Sequence, residues 1–294
     1  MDSKKDFYFI IIVLVVVAQM KHIPMTKYFF YLLLIIACLG TACDRPVNVF
    51  TVEQDKELGA QLAQEIASNP TEYPILDEAQ YPVAYAYMND MKNEILKSDE
   101  IKYKDEFLWE LKIIHDDDVL NAFAAPGGYI YIYTGLMKYL DKVDHLAGVL
   151  AHEIAHADQR HSTSQMTKQY GLELIVAIAS RNATAAQLGQ VAAGLTQLGF
   201  SRADETDADE HSVEYLETAK YACNGAAGFF EKLIASGQAG GTPAFLSTHP
   251  SPDNRVSKIN ERADEAGCPK GPADYYHDDG DNGAYTAMLA TLPQ

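Results

Sequence analysis

The sequence predicts an α+β fold in which helices dominate and a small β-sheet lies beside the helical body. Three observations lead to this prediction. The chain has 294 residues, of which 48% are hydrophobic and 22% charged, a composition typical of a globular protein. Apolar residues recur at helical spacing in several long segments. Short runs rich in bulky apolar residues, typical of strands, lie between residues 107 and 134.

The N-terminal segment, residues 1–43, is expected to be an extension and a signal that precede the folded domain. Its two apolar runs, residues 7–17 and 28–39, are both shorter than the roughly 20 residues that a membrane-spanning helix needs. A lysine precedes the second run and Gly-Thr-Ala-Cys follows it, as in a secretory signal with a bacterial lipoprotein processing site. We therefore expect lipid attachment at Cys43.

Three alternatives stay open for this segment. Cys38 also fits a lipoprotein processing site, although processing there would leave an apolar mature N-terminus. Translation could begin at Met25, so that residues 1–24 would be an upstream extension. The segment could also stay uncleaved as an anchor helix.

The folded domain is expected to span residues 44–272. Its first part is predicted to contain two helices, at residues 51–67 and 79–97, the first with apolar residues at helical spacing. Three strands are predicted to follow, at residues 107–114, 121–124 and 129–134, the last two around a Pro-Gly-Gly turn.

A short helix is predicted at residues 134–141, and a longer one carries His-Glu-Ile-Ala-His at residues 152–156. We expect Asp141 or Asp144 to cap the start of this longer helix. Residues 170–200, rich in Ala, Gly and Gln, are predicted to form a helical hairpin that either packs in the core or covers a cleft as a lid.

The C-terminal part begins with an acidic helix that starts at residue 201 and runs past residue 213. A glycine-rich break follows at residues 237–241. Ser251 as the N-cap and Pro252 as the first helical residue then predict a helix that runs through Ala263. The tail, residues 273–294, is polar and expected to be loosely held.

The HEIAH segment carries the functional prediction. On a helix, residues four positions apart lie one above the other, so the rings of His152 and His156 converge on one point, as two zinc ligands must. Glu153 flanks that point, where a general base must stand to take a proton from zinc-bound water. A surface helix with two solvated histidines is the alternative.

A zinc hydrolase normally has three protein ligands, and the acidic helix offers the third. Glu205 can reach the metal, while Asp209, four residues later on the same face, can accept the outer N–H of a ligand histidine. Taken alone, these acids would be a solvated helix face. Beside HEIAH, we interpret them as part of one metal site.

Four segments together resemble a known family, from about residue 51 to about residue 267. The sequence is similar to the gluzincin peptidases that include the HtpX membrane proteases and the CAAX prenyl proteases, and looks closest to their soluble BepA-like bacterial envelope members. The segments are NAFAAPGGYIY at residues 121–131, HEIAH, Ser201-Arg202 with Glu205 and Ala208-Asp209, and Thr248-His249-Pro250 with Arg255.

This resemblance implies a zincin-like metallopeptidase domain with its small sheet beside the HEIAH helix. It also implies one zinc ion per chain on the two histidines and the glutamate named above, with Glu153 as the base. The sequence departs from the family pattern at two nearby positions, because Asp207 stands where Glu is common and Ser212 where Gly is common. Neither residue is expected to touch a predicted ligand.

The roles of His249 and Arg255 stay open. His249 is a candidate to stabilise the oxyanion of the reaction, to bind zinc as a fourth ligand that keeps a resting enzyme shut, or to cap a loop. Arg255 is expected to bind an acid near the zinc, either Asp209 or Glu205. The other histidines singled out have no partner pattern and are expected to be structural or solvated; they are His115, His145, His161, His211 and His277.

The expected reaction is hydrolysis of peptide bonds. Zinc would lower the pKa of its water toward ~7, Glu153 would accept the proton and later pass it to the leaving amine, and the resulting hydroxide would attack the scissile carbonyl. An extended substrate is expected to pair with an edge strand just before the Gly-Gly turn, although an ordinary internal strand is an equal alternative. That strand consists of Asn121, Ala122, Phe123 and Ala124.

Charge and cysteines restrict the setting of this chemistry. A formal net charge of −18 disfavours nucleic acid and anionic lipid headgroups as partners. In an oxidising compartment Cys223 and Cys268 are candidates for a disulfide, with two buried thiols as the alternative.

The sequence therefore predicts a zinc metalloendopeptidase of the bacterial cell envelope that faces the periplasm, is anchored by an N-terminal lipid, and cleaves misfolded or unassembled envelope proteins. A zinc-bound chaperone or assembly factor that rarely cuts is the alternative. A zinc hydrolase of another kind has no specific feature in its favour.

Overall fold

The structure, a computed structural model, describes residues 48–236, 244–250, 254–268 and 280–294. The predicted signal segment with Cys38 and Cys43, the glycine-rich break, and the predicted helix start at Ser251 and Pro252 lie outside these residues. Within the described ranges, no helix combines the length and apolar character needed to cross a membrane.

Two helices come first, α1 (Val52–Ala67) and α2 (Pro82–Ile95), close to the predicted bounds. Helix α1 begins at a capping box in which the Thr51 side chain accepts from the Gln54 N–H and the Gln54 side chain accepts from the Thr51 N–H. Helix α2 has a proline at its first position, where the missing N–H costs no hydrogen bond.

The described residues contain a three-stranded sheet, β1 (Glu110–Ile114), β2 (Ala122–Ala125) and β3 (Tyr129–Tyr133), in the order β1-β3-β2. Strand β1 is parallel to β3 and β2 is antiparallel to it, so β2 forms one edge. The first strand begins three residues later than predicted. Trp109 is the reason, because its φ of 51° lies in the left-handed region and interrupts the extended backbone.

Helices make up most of the remaining chain, as predicted. They are α3 (Thr134–Tyr139), α4 (Val143–Asp158), α5 (His161–Gln169), α6 (Leu172–Ala179), α7 (Ala185–Leu195), α8 (Arg202–Leu216), α9 (Gly225–Ala235), α10 (Ala244–Thr248), α11 (Arg255–Ala266) and α12 (Gly280–Leu289).

Helix α4 is the central element, buried along nearly its whole length and packed against α8, α9 and the sheet. The predicted cap at its start is wrong, because Lys142 is the N-cap residue and its side chain makes no capping bond. Asp144 instead lies buried in the first turn, where it accepts a hydrogen bond from the Ala222 N–H at 3.1 Å. It thereby joins α4 to the turn that precedes α9.

The predicted helical hairpin is the pair α6 and α7. Ile175, Ile178 and Val191 of this pair are buried in one cluster with Leu62 and Ile66 of α1. This contact supports the core-packing interpretation of the hairpin.

The described part of the tail differs from the expectation of a loosely held polar segment. Tyr285, Met288 and Leu292 are buried against the main core, and the Tyr285 hydroxyl donates to the Met137 carbonyl at 2.6 Å. These three residues share one face by their spacing of three and four, a signal that the acidic composition of the tail obscured.

Candidate metal centre

The two HEIAH histidines lie on one face of α4 and point to a common position. His152 Nε2 and His156 Nε2 are 3.0 Å apart, and both side chains are buried. Glycine at position 148, one turn before His152, lets α9 cross close to this part of α4, because a Cβ there would lie 2.0 Å from the Ala226 backbone N.

Helix α8 brings Glu205 to the same position. Its Oε2 lies 3.5 Å from His152 Nε2 and its Oε1 lies 3.4 Å from His156 Nε2. A capping box between Ser201 and Asp204 fixes the start of α8, so Glu205 stands in its first turn. The glutamate is completely buried.

His249, which directly follows α10, completes the group. Its Nδ1 lies 3.0 Å from Glu205 Oε1 and 3.4 Å from His152 Nε2. The Phe245 ring stacks on the imidazole with 4.3 Å between centroids, and the Phe245 carbonyl accepts from the His249 N–H at 2.7 Å. These contacts hold the His249 ring in the buried cluster.

These donors fit a zinc ion. A nitrogen ligand lies about 2.0–2.1 Å from zinc, so two ligand atoms on a tetrahedral ion lie roughly 3.3 Å apart. Five separations between donors from His152, His156, Glu205 and His249 fall between 3.0 and 3.5 Å. Two imidazoles and a carboxylate are also the donor types that zinc hydrolases use.

Glu153 lies beside this group and is fully buried. Neither of its carboxyl oxygens has a hydrogen-bond partner among the described residues, and Oε1 stands 3.5 Å from His249 Nε2. Burial raises the pKa of this carboxyl above its ordinary value. A buried carboxyl without a hydrogen-bond partner is costly, which makes Glu153 a candidate to act on a further molecule.

Asp209 and Arg255 contact the donor group from outside. Asp209 Oδ1 lies 3.0 Å from His152 Nδ1, and Arg255 donates to both Asp209 oxygens at 2.5 and 2.8 Å. Arg255 Nη1 also lies 2.8 Å from Glu205 Oε2. Although burial opposes ionisation, Arg255 and His152 hold the pKa of Asp209 below its ordinary value. Arg255 thus contacts both acids that the sequence offered as alternatives.

His161 is a site residue that sequence reasoning missed. It is buried, its Nδ1 lies 3.0 Å from His156 Nδ1, and its Nε2 lies 3.2 Å from Asp207 Oδ2. The expectation of a residue without a partner pattern is therefore wrong here. The available signal was its place just beyond the end of the HEIAH helix, where a reversal of the chain can return a side chain to that helix.

The predicted substrate strand forms the β2 edge. Tyr133 N–H donates to the Asn121 carbonyl, so by antiparallel alternation Ala122 and Ala124 turn their backbone polar groups away from β3. Ser162 already donates to the Ala124 carbonyl at 2.8 Å, and the residues of β2 are buried. The edge is covered in this structure.

Cys223 and Cys268 are joined by a disulfide in the structure, with a Cα–Cα distance of 6.3 Å. The first lies in the turn before α9 and the second follows the end of α11. The metal-site donors come from other residues.

Comparison with known proteins places these features in a family. The family described as Peptidase family M48 matches residues 82–263. The chain is 36% identical to mitochondrial metalloendopeptidase OMA1 of Schizosaccharomyces pombe over 175 residues, which cover 58% of this chain and 51% of that protein.

Two relatives from Escherichia coli also match. The beta-barrel assembly-enhancing protease is 25% identical over 232 residues, which cover 74% of this chain and 45% of that protein. Metalloprotease YcaL is 32% identical over 162 residues, which cover 51% of this chain and 61% of that protein. The chain thus spans less than two thirds of each of these relatives.

Proposed function

Because the chain belongs to peptidase family M48 and is a metallopeptidase, we propose that it is a zinc-dependent endopeptidase of the bacterial cell envelope. In this proposal His152, His156 and Glu205 hold the zinc ion and Glu153 is the general base. The observation that carries the proposal is the buried donor group with spacings that suit one zinc ion, next to a buried carboxyl without a partner.

A bound zinc ion would acidify a water molecule and polarise a substrate carbonyl. Glu153 is placed to accept the proton, since its carboxyl stands beside the ligand donors and its raised pKa favours holding a proton between two steps. The same carboxyl then delivers the proton to the leaving amine. Asp209 and Arg255 keep the His152 ring in one orientation during both transfers.

The β2 edge is the proposed substrate-binding strand. The polar groups of Ala122 and Ala124 that face away from β3 are the ones an extended peptide would pair with. The Ser162 hydroxyl of α5 already donates to the Ala124 carbonyl. Substrate binding therefore requires α5 to move or the Ser162 hydroxyl to rotate away.

His249 is proposed to be a fourth zinc ligand in a resting state. A hydrolase needs one open coordination position, and the His249 Nδ1 lies within 3.0–3.4 Å of two other donors, where it would fill that position. The alternative role as an oxyanion donor would require the ring to turn its Nε2, now 3.5 Å from Glu153, toward the substrate.

The envelope role is inferred from sequence features and relatives. One similar protein is named for enhancing beta-barrel assembly, and the N-terminal segment has the layout of a lipoprotein signal. We therefore propose a lipid anchor at Cys43, a periplasm-facing domain, and misfolded or unassembled envelope proteins as substrates.

A zinc-bound chaperone or assembly factor is the second candidate function. The observation in its favour is the closed site, in which Glu153 and the four donor residues are at most 2% exposed. Replacement of Glu153 by Gln separates the two functions in cells, because a chaperone role would survive the loss of proteolysis.

The direct test combines metal analysis with casein degradation. Wild type is expected to hold one zinc per chain and to degrade casein, and a chelator should abolish both. Glu153→Gln should keep its zinc and lose roughly 10²- to 10⁴-fold in rate, the range typical of a lost general base. Glu205→Ala should lose zinc and activity together. Zinc-free wild type, or full activity of Glu153→Gln, would refute the proposal.

A further inference from the structure

We propose that His161 and Asp207 are positioning residues for the zinc ligand His156, an inference that rests on the zinc site proposed above. They would fix the tautomer and orientation of that ring through a chain of two hydrogen bonds. Three observations support this: the direction of each ring nitrogen, the contrast with His152, and the backbone that turns His161 back toward α4.

The ring nitrogens leave one consistent arrangement. His156 directs Nε2 at the donors of the metal site, 3.0 Å from His152 Nε2, so its Nδ1 is the outer nitrogen. A neutral imidazole that binds metal through Nε2 carries its proton on Nδ1. That N–H faces His161 Nδ1 at 3.0 Å. His161 Nδ1 must therefore accept the hydrogen bond from His156. The proton of His161 is then on Nε2, which faces Asp207 Oδ2 at 3.2 Å.

The two ligand histidines are thus supported differently. His152 meets the buried Asp209 carboxylate directly at 3.0 Å. The outer nitrogen of His156, Nδ1, reaches a carboxylate through an intervening imidazole, and the side chain of that carboxylate, Asp207, is 39% exposed. Helix α8 supplies both carboxylates as well as Glu205, so one helix supports both rings.

The turn between α4 and α5 brings His161 into place. Arg160 has a φ of 62°, in the left-handed region, so the chain reverses directly after α4. Its guanidinium is bound to the buried Asp55 carboxylate of α1 and to the Phe50 carbonyl, which holds this unusual backbone. On the other side, the Phe200 ring stacks on His156 with 4.0 Å between centroids.

The expected effect is on zinc affinity. Loss of an outer hydrogen-bond partner typically lowers metal affinity 10- to 100-fold. His161→Leu should show a loss in this range. His161→Asn, which can offer an oxygen near the Nδ1 position, should lose less. Asp207→Ala should weaken binding, and Asp207→Glu, which keeps the carboxylate, should restore most of it.

The experiment measures the zinc dissociation constant of the full chain by competition with a chromophoric chelator, together with the melting temperature of each zinc-free variant. His211→Leu is the matched control, because His211 Nδ1 lies 3.7 Å from the same Asp207 carboxylate without a contact to His156. Its zinc affinity should equal that of wild type.

The outcomes separate the two proposals. Wild type without zinc affinity would refute the zinc site itself. The positioning role alone would be overturned if wild type binds zinc and His161→Leu and Asp207→Ala bind it with the same affinity. It would also be overturned if these variants melt at a lower temperature but keep the zinc affinity of wild type. If His161→Leu does not fold, His161→Asn and the Asp207 pair decide the question.

Discussion

At the scale of single residues, the proposed resting-state role of His249 can be tested directly. Its Nδ1 lies as close to Glu205 and His152 as those donors lie to each other. Because a fourth protein ligand would fill the position that a hydrolase keeps for water, its removal should free that position.

We therefore expect His249→Ala to weaken zinc binding modestly and to raise the initial rate of casein cleavage at saturating zinc. The control is His249→Ala combined with Glu153→Gln, which should be inactive. A fall in the rate of the single variant, with zinc still bound, would favour the oxyanion role instead.

The sequence could predict some site residues and not others, for reasons of distance along the chain. His152 and His156 follow from helix geometry alone, since four residues fix their relative direction. Glu205 required a second helix and a family resemblance. His161 was missed, because its place just beyond the HEIAH helix does not by itself show the reversal of the chain, which depends on the left-handed backbone of Arg160. A single backbone conformation of this kind leaves little trace in composition or periodicity.

At the scale of elements, α4 and α9 cross closely beside the proposed metal site. A Cβ at Gly148 would lie 2.0 Å from the Ala226 backbone N, and a Cβ at Gly225 would lie 2.0 Å from the Asp144 carbonyl O. Each helix thus presents a glycine where the other helix needs room. The sequence predicted α4 but neither α9 nor this contact, because spacing within one helix does not say which other helix it meets.

Gly148→Ala should therefore destabilise the protein. Backbone atoms of α9 cannot move aside cheaply, so we expect the free energy of unfolding to fall by roughly 3 kcal/mol or more, at or above the upper range for overpacking. The matched control is Gly171→Ala, since a Cβ there meets nothing within 4 Å and its φ is −63°. That variant should stay within about 1 kcal/mol of wild type in urea unfolding, because the entropic gain of replacing glycine is offset by the loss of a favourable N-cap residue of α6. Equal stability of the two variants would contradict the close crossing.

At the scale of the whole molecule, residues far apart in sequence are joined around α4. Helix α12 packs against α2 and α4, and its Tyr285 is buried in the main core. The sequence predicted an α+β architecture with a small sheet, which the structure confirms. It missed the attachment of the C-terminal helix, because three apolar residues in a short polar segment give a weak signal until their partners are known.

The disulfide is the covalent part of this organisation. It closes a loop between residues 45 positions apart, and in the chain-entropy model such a loop contributes about 4 kcal/mol. Since about 1 kcal/mol shifts the melting temperature of a domain of this size by roughly 2–4 °C, the double variant Cys223→Ser/Cys268→Ser should melt about 8–16 °C lower than wild type.

Catalysis below the melting temperature should change little in that variant. Arg255 is the first residue of α11, and Cys268 follows the last. The helix between them has 12 residues and is about 18 Å long. Arg255 is also held locally by Asp209 and Glu205. Thermal melting and casein cleavage at 25 °C test the two expectations separately. An unchanged melting temperature would show that the bond contributes no stability, and a lost rate at 25 °C would show that it orients Arg255.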